Sequence, residues 1–205
     1  MCFQKLKKLF VDPVKFFKDV SKEKDYWTVL KFFAVVYIAA LLIQILVSIP
    51  TLLSLQRLVI WMSLLTAIFF GVVYAFVGPF IISGIMHLGI LILGGRKGFF
   101  NTFKAATYGT LVVVGYGLVT SIITNAFLLL AFYGIVANVF IFLPIIIGSI
   151  HMLITQSIGV SMYHSISRTR AFFGIILIPM VLFILWVILG IIFAAGLFGP
   201  VGFNG

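Results

Sequence analysis

After Asp25 the chain carries no carboxylate side chain for 180 residues. The charges that follow Lys31 are Arg57, Arg96, Lys97, Lys104, Arg168 and Arg170, all positive and all set between long apolar runs. A chain so arranged cannot cover a soluble globule. Soluble domains carry about 25% charged residues, whereas this chain has 9%, with 63% hydrophobic residues and a mean hydropathy of +1.32. Its solvent is lipid.

The net charge of +10 invites a nucleic-acid reading, but no basic face is concentrated enough to support one. Eight of the fourteen cations lie in residues 1–31, interleaved with all four acids, and the rest mark the ends of apolar runs. Attraction of juxtamembrane cations to anionic headgroups, about 1 kcal/mol each, accounts for the balance. No nucleic-acid partner is expected. Cys2 is the only cysteine, which leaves no intrachain disulfide, cysteine metal cage or redox motif. No small-residue cleavage pattern follows the charged N-terminal segment, so the first apolar run reads as a retained span.

A helix needs about 20 apolar residues to cross the hydrocarbon. Runs of that length occupy residues 30–49, 108–132, 137–163 and 171–197, with the Tyr133–Gly134 turn and the loop His164–Arg170 between the later ones. The stretch Leu58–Leu93 is uncharged and too long for one crossing, so it is either one span plus a surplus or two short spans broken at Gly78-Pro79. Charge separates the two. With one span there, the N-terminal segment, the loop Gly94–Lys104 and the loop before Ala171 share a side and carry eight, three and two cations, against Arg57 opposite. Two spans would leave the sides nearly balanced. The positive-inside rule therefore predicts five spans, with the N-terminus in the cytoplasm and the C-terminus outside.

The expected fold is all-α: a polytopic membrane protein of five transmembrane helices with short amphipathic interfacial helices. Residues 1–28 form a cytoplasmic amphipathic segment, 29–199 a membrane domain with span two at 64–93, and 200–205 an external tail. The surplus of the second run is assigned to an interfacial segment, about Thr51–Ser63, with Trp61 at the headgroups. Pro79, Pro144 and Pro179 are expected to bend spans two, four and five.

Phe3, Leu6 and Phe10 recur at helical spacing among Lys5, Lys7 and Lys8. After Asp12-Pro13, an N-cap and first helical residue, Phe16, Phe17 and Val20 repeat the pattern. Both helices suit an anionic leaflet surface. A third amphipathic segment follows Gly94-Gly95-Arg96-Lys97-Gly98 and carries Phe99, Phe100, Phe103 and Lys104. With Arg168 and Arg170 it makes a candidate edge for lipid headgroups or protein partners, although plain membrane-skimming connectors would look the same.

Chemistry is scarce. Thr120, Ser121, Thr124 and Asn125 in span three, with His151, Thr155 and Gln156 in span four, form a candidate intramembrane polar cluster. They either line a path or hold helices together, and packing is the preferred reading. Gln44 in span one has the same two readings. His87 and His164 are candidate cytoplasmic-side histidines, a weak basis for a metal site without carboxylate or cysteine. Ser83 and His87, one turn apart, have no acidic orienter. No catalytic residue, cofactor or metal is expected. The pairs Gly71/Ala75, Gly117/Ser121 and Gly190/Ala194 suit close helix packing within or between chains.

Several of these features, in order, resemble Yip1-domain proteins. They are Asp12-Pro13 with Phe16-Phe17 ahead of span one, and His87 followed by Gly94-Gly95-Arg96-Lys97-Gly98 and Thr102-Phe103-Lys104 leading to Tyr108. The segment from Ile158-Gly159 through His164, Ser167 and Arg170-Ala171 completes them. The resemblance covers most of the chain and implies five spans and a non-enzymatic role. In eukaryotes it implies association with Rab-type GTPases and with like proteins in endomembranes. About 28 residues precede span one and the Asp-Leu-Tyr-Gly-Pro motif is missing, so the chain is similar to the short prokaryotic branch, which implies the cell membrane. Expected partners are the bilayer, anionic headgroups, membrane proteins and further copies of the chain. The alternative is a small transporter, channel or lipid-moving protein using the polar residues of spans three and four.

Overall fold

Seven helices follow one another in the computed structural model, which describes residues 2–53, 57–131 and 134–197. Two are short, α1 (Cys2–Val11) and α2 (Pro13–Asp19); a single 3₁₀ turn follows α2. Five are long: α3 (Tyr26–Leu52), α4 (Arg57–Ile92), α5 (Phe99–Leu129), α6 (Ile135–His164) and α7 (Arg168–Leu197). Each of the five is long and apolar enough to cross a membrane. With their lipid-facing side chains this defines a multi-pass membrane protein.

Local chemistry places the boundaries. Asp12 caps α2 by accepting the Lys15 N–H at 3.0 Å, with Pro13 in the first helical position. Asp25 caps α3 by accepting both the N–H and the hydroxyl of Thr28 at 2.7 Å. Those bonds favour the ionised carboxylate and hold Asp25 below its usual range. Between α4 and α5 the chain turns on Gly94 (φ +93°) and Gly98 (φ +80°), in the left-handed region where only glycine is unstrained.

The expected interfacial segment is not a separate element among the described residues. Thr51 and Leu52 complete α3, and residues 57–63 are the first turns of an unbroken α4, whose 36 residues span roughly 54 Å at 1.5 Å each. Apolar sequence with no helix stop between Arg57 and Ile92 lets the helix run on. The helices also continue through Pro50, Pro79, Pro144 and Pro179, so α3 runs two residues past Pro50. The 200–205 tail and Tyr133 of the expected turn lie outside the described residues.

Helix α5 is the axis, packing on α3, α4 and α6, while α7 closes against α4 and α6. From Thr102 to Val112 every residue of α5 is buried. The α4–α7 crossing is tighter than side chains allow elsewhere: a Cβ on Gly89 would overlap the carbonyl oxygen of Gly174, and one on Gly174 would lie 3.1 Å from the Ile90 Cα. Of the small-residue pairs, Gly71 faces Leu41 of α3 and Gly117 approaches Gln44, whereas Gly190 faces open space.

Candidate functional site

The α1–α2 segment, the turn before α5 and the turn before α7 meet at one end of the bundle. Lys97 Nζ, before α5, donates to Ser165 Oγ after α6 at 2.6 Å. Lys104 Nζ, in the first turns of α5, donates to the carbonyls of Ser21 and Glu23 at 3.3 and 3.1 Å. Alternating helix direction brings the sequence's cation clusters together here.

The N-terminal helices are docked into this end rather than lying free. Leu9, Phe16 and Phe17 are fully buried, and the Phe17 ring packs where Gly159 of α6 lacks a side chain. Phe16 stands edge-on to Tyr108, and the Tyr163 hydroxyl donates to the Phe17 carbonyl at 2.8 Å. The apolar face that suits a leaflet surface is thus spent on α5 and α6. Phe3 and Val11 remain exposed.

A charged cluster seals the junction. Lys5 Nζ donates to Glu23 Oε1 at 2.7 Å and to the Tyr108 hydroxyl at 2.9 Å, while that hydroxyl donates to Glu23 Oε2. The ammonium also lies 4.3 Å from the Phe32 ring centroid. Both charges are partly desolvated and each is matched, so removing one would strand the other. The second cation, Lys104, is only 2% exposed, held by its two carbonyls and by the Tyr163 ring at 4.4 Å.

These placements divide the candidate edge. Phe103 and Lys104 are buried, and Phe99 and Phe100 are half-buried against Tyr26. Arg96, Lys97, Arg168 and Arg170 are exposed. Helical periodicity marks a face as apolar without saying whether lipid or protein covers it.

The two histidines do meet, through a residue that the spacing of histidines alone cannot reveal. His164 Nδ1 accepts the Lys97 N–H at 3.4 Å, so in the neutral ring Nε2 carries the proton and donates to Thr102 Oγ1 at 3.0 Å. The same Thr102 hydroxyl lies in hydrogen-bond contact with His87 Nδ1 at 2.8 Å. This chain ties α4, α5 and α6 together. Ser83 Oγ, by contrast, has no hydrogen-bond partner among the described residues and is not bonded to His87 there.

The intramembrane polar residues separate into several small contacts. Asn125 bonds Thr51 and Ser48 of α3 and the Ser121 carbonyl of its own helix. Thr120 donates to the Tyr116 carbonyl at 3.1 Å, and His151 Nδ1 lies 3.4 Å from the Tyr116 hydroxyl. Gln156 donates to the Ala106 carbonyl at 3.2 Å; Thr155 is buried, and its hydroxyl has no hydrogen-bond partner among the described residues. Thr124 is half-buried. Each of these bonds but those internal to α5 joins neighbouring helices. Ser48 and Thr51 are the partners that sequence reading missed, since they sit at the end of an otherwise apolar run.

Five apolar helices with a capped, cation-rich end define a polytopic membrane protein. A model of the Yip1 domain matches residues 7–190, and the chain belongs to the Yip1 family. Comparison with curated proteins and with solved structures gave no match.

Proposed function

We propose that this chain is a non-enzymatic Yip1-type protein that organises membrane or recruits partners at its cation-rich end, which faces the cytoplasm. The observation that carries the reading is an end whose buried cations are held by internal contacts while further cations stand exposed around it. Lys5 and Lys104 are consumed by internal contacts, whereas Arg96, Arg168 and Arg170 have no acidic partner among the described residues. A fixed cationic rim attracts anionic headgroups or an acidic protein surface. The membrane is the cell membrane in a prokaryote and an endomembrane in a eukaryote. Solute passage has less support, because Asn125 and Gln156 are already bonded to neighbouring helices.

The test uses the full chain in neutral nanodiscs. Substituting Arg96, Lys97, Arg168 and Arg170 together by Gln is expected to weaken capture of anionic liposomes or of a recruited protein, at about 1 kcal/mol per cation. Unchanged capture in both assays contradicts the proposal.

A further inference from the structure

Helices α4, α5, α6 and α7 form a closed ring in which each packs on the next. Between them lies a cavity of about 710 Å³ whose walls include Ile82, Met86, Met152, Gln156, Ile176 and Met180; Met180 and Leu182, half exposed on its outer side, leave it open at the surface of the bundle. Close-packed interiors hold few voids larger than a water molecule. A space of this size lies in the range of ligand sites, roughly 300–1,000 Å³.

The walls choose the occupant. The polar side chains on the lining are Gln156, Thr110 and Tyr74; the first two donate to the Ala106 carbonyl, and the rest of the wall is apolar. Little is left for water or a polar solute. Apolar cavities stay dry and take up hydrocarbon. Three methionines give the wall an adaptable surface suited to a flexible chain.

Depth and charge identify the kind of hydrocarbon. Ile175, on the wall, lies seven residues into α7 from Arg168, roughly 10 Å along the axis; Tyr74, at the other extreme, lies roughly 27 Å along α4 from Ile92. The cavity therefore runs from roughly 10 to roughly 27 Å below the cation-rich end, a little over half of a hydrocarbon layer of about 30 Å. Arg168 and Arg170 stand exposed above it. We propose that the cavity holds an acyl chain of an anionic phospholipid whose headgroup rests on Arg168 and Arg170. This goes beyond recruitment at the edge and makes a bound lipid part of the bundle.

The test places the full chain in phosphatidylcholine nanodiscs containing a trace of phosphatidylglycerol with a diazirine in mid acyl chain. After illumination, adducts are mapped by mass spectrometry. Adducts at Met86 and Met152 are expected to exceed those at the lipid-facing Phe183 and Trp186 at least fivefold per residue. Filling the cavity with Met152→Trp and Ile176→Trp together is expected to lower the cavity adducts fivefold, with Leu189→Trp on the exposed face as control. Arg168→Gln with Arg170→Gln is expected to lower them for this probe but not for a phosphatidylcholine probe. Equal labelling of Phe183 and Trp186 in the unaltered chain overturns the proposal, and that map decides even if the filled variant misfolds. Adducts insensitive to the arginine changes overturn the headgroup assignment.

Discussion

Gly89 and Gly174 let α4 and α7 approach until backbone touches backbone. Gly89→Ala is therefore expected to push the helices apart, at a cost of about 1–3 kcal/mol for overpacking. Gly84→Ala, in the same helix with no atom within 4 Å of the new Cβ, is expected to leave stability unchanged or raise it. Thermal unfolding in detergent distinguishes the two, and equal shifts would contradict the close crossing. Asp25 offers a second residue-scale check. Its carboxyl is held below the usual value by the Thr28 bonds, so its contribution to the α3 cap is complete above about pH 5, given an ordinary Asp value near 3.9, and is lost as pH falls through the lowered one. Hydrogen exchange at the Thr28 amide should follow that course in the native chain and stay flat in Asp25→Asn. The cap was legible because its partners are three residues apart. The glycine crossing was not: each glycine looked like any other in an apolar run, and only the packing of distant helices gives it a role.

The N-terminal helices show where element-level reading stops. Their amphipathic spacing and the Asp12-Pro13 start were plain in the sequence, yet the face meets α5 and α6 instead of lipid. The decisive contacts join Lys5 and Glu23 to Tyr108, about a hundred residues away in sequence, which no local pattern encodes. Tyr108→Phe removes the hydroxyl that serves both charges. Losing a hydrogen bond to a charged group costs about 1.5–3 kcal/mol, equivalent to a ten- to hundredfold rise in the undocked population. Gly159→Val, which would press on the Phe17 ring 2.7 Å from any new Cβ, is expected to act in the same direction. Limited trypsin digestion at Lys15 and Lys18 should accelerate in both variants while α3–α7 remain intact. Unaltered cleavage would mean that the segment is not held by these contacts.

For the whole molecule, the alternation of apolar runs and cations carried the architecture: five helices are long and apolar enough to cross a membrane, and the three cation-bearing segments meet at one end. That much was readable because lipid forbids charge within a span and leaves it at the edges. The candidate polar cluster was less readable, since hydropathy records that Asn125, His151 and Gln156 are polar but not which neighbour each one meets. The same limit hid the division of the basic edge into buried Lys104 and exposed Arg96, Arg168 and Arg170. The function proposed here depends on this end facing the cytoplasm. With Cys2→Ser as background, one cysteine is introduced by Ser167→Cys at the cation-rich end and, separately, another by Asn138→Cys at the opposite end. Intact cells are then treated with a membrane-impermeant maleimide. Labelling of the Asn138 variant in intact cells, and of the Ser167 variant only after permeabilisation, is the predicted result; the reverse pattern would contradict the orientation on which the proposal rests.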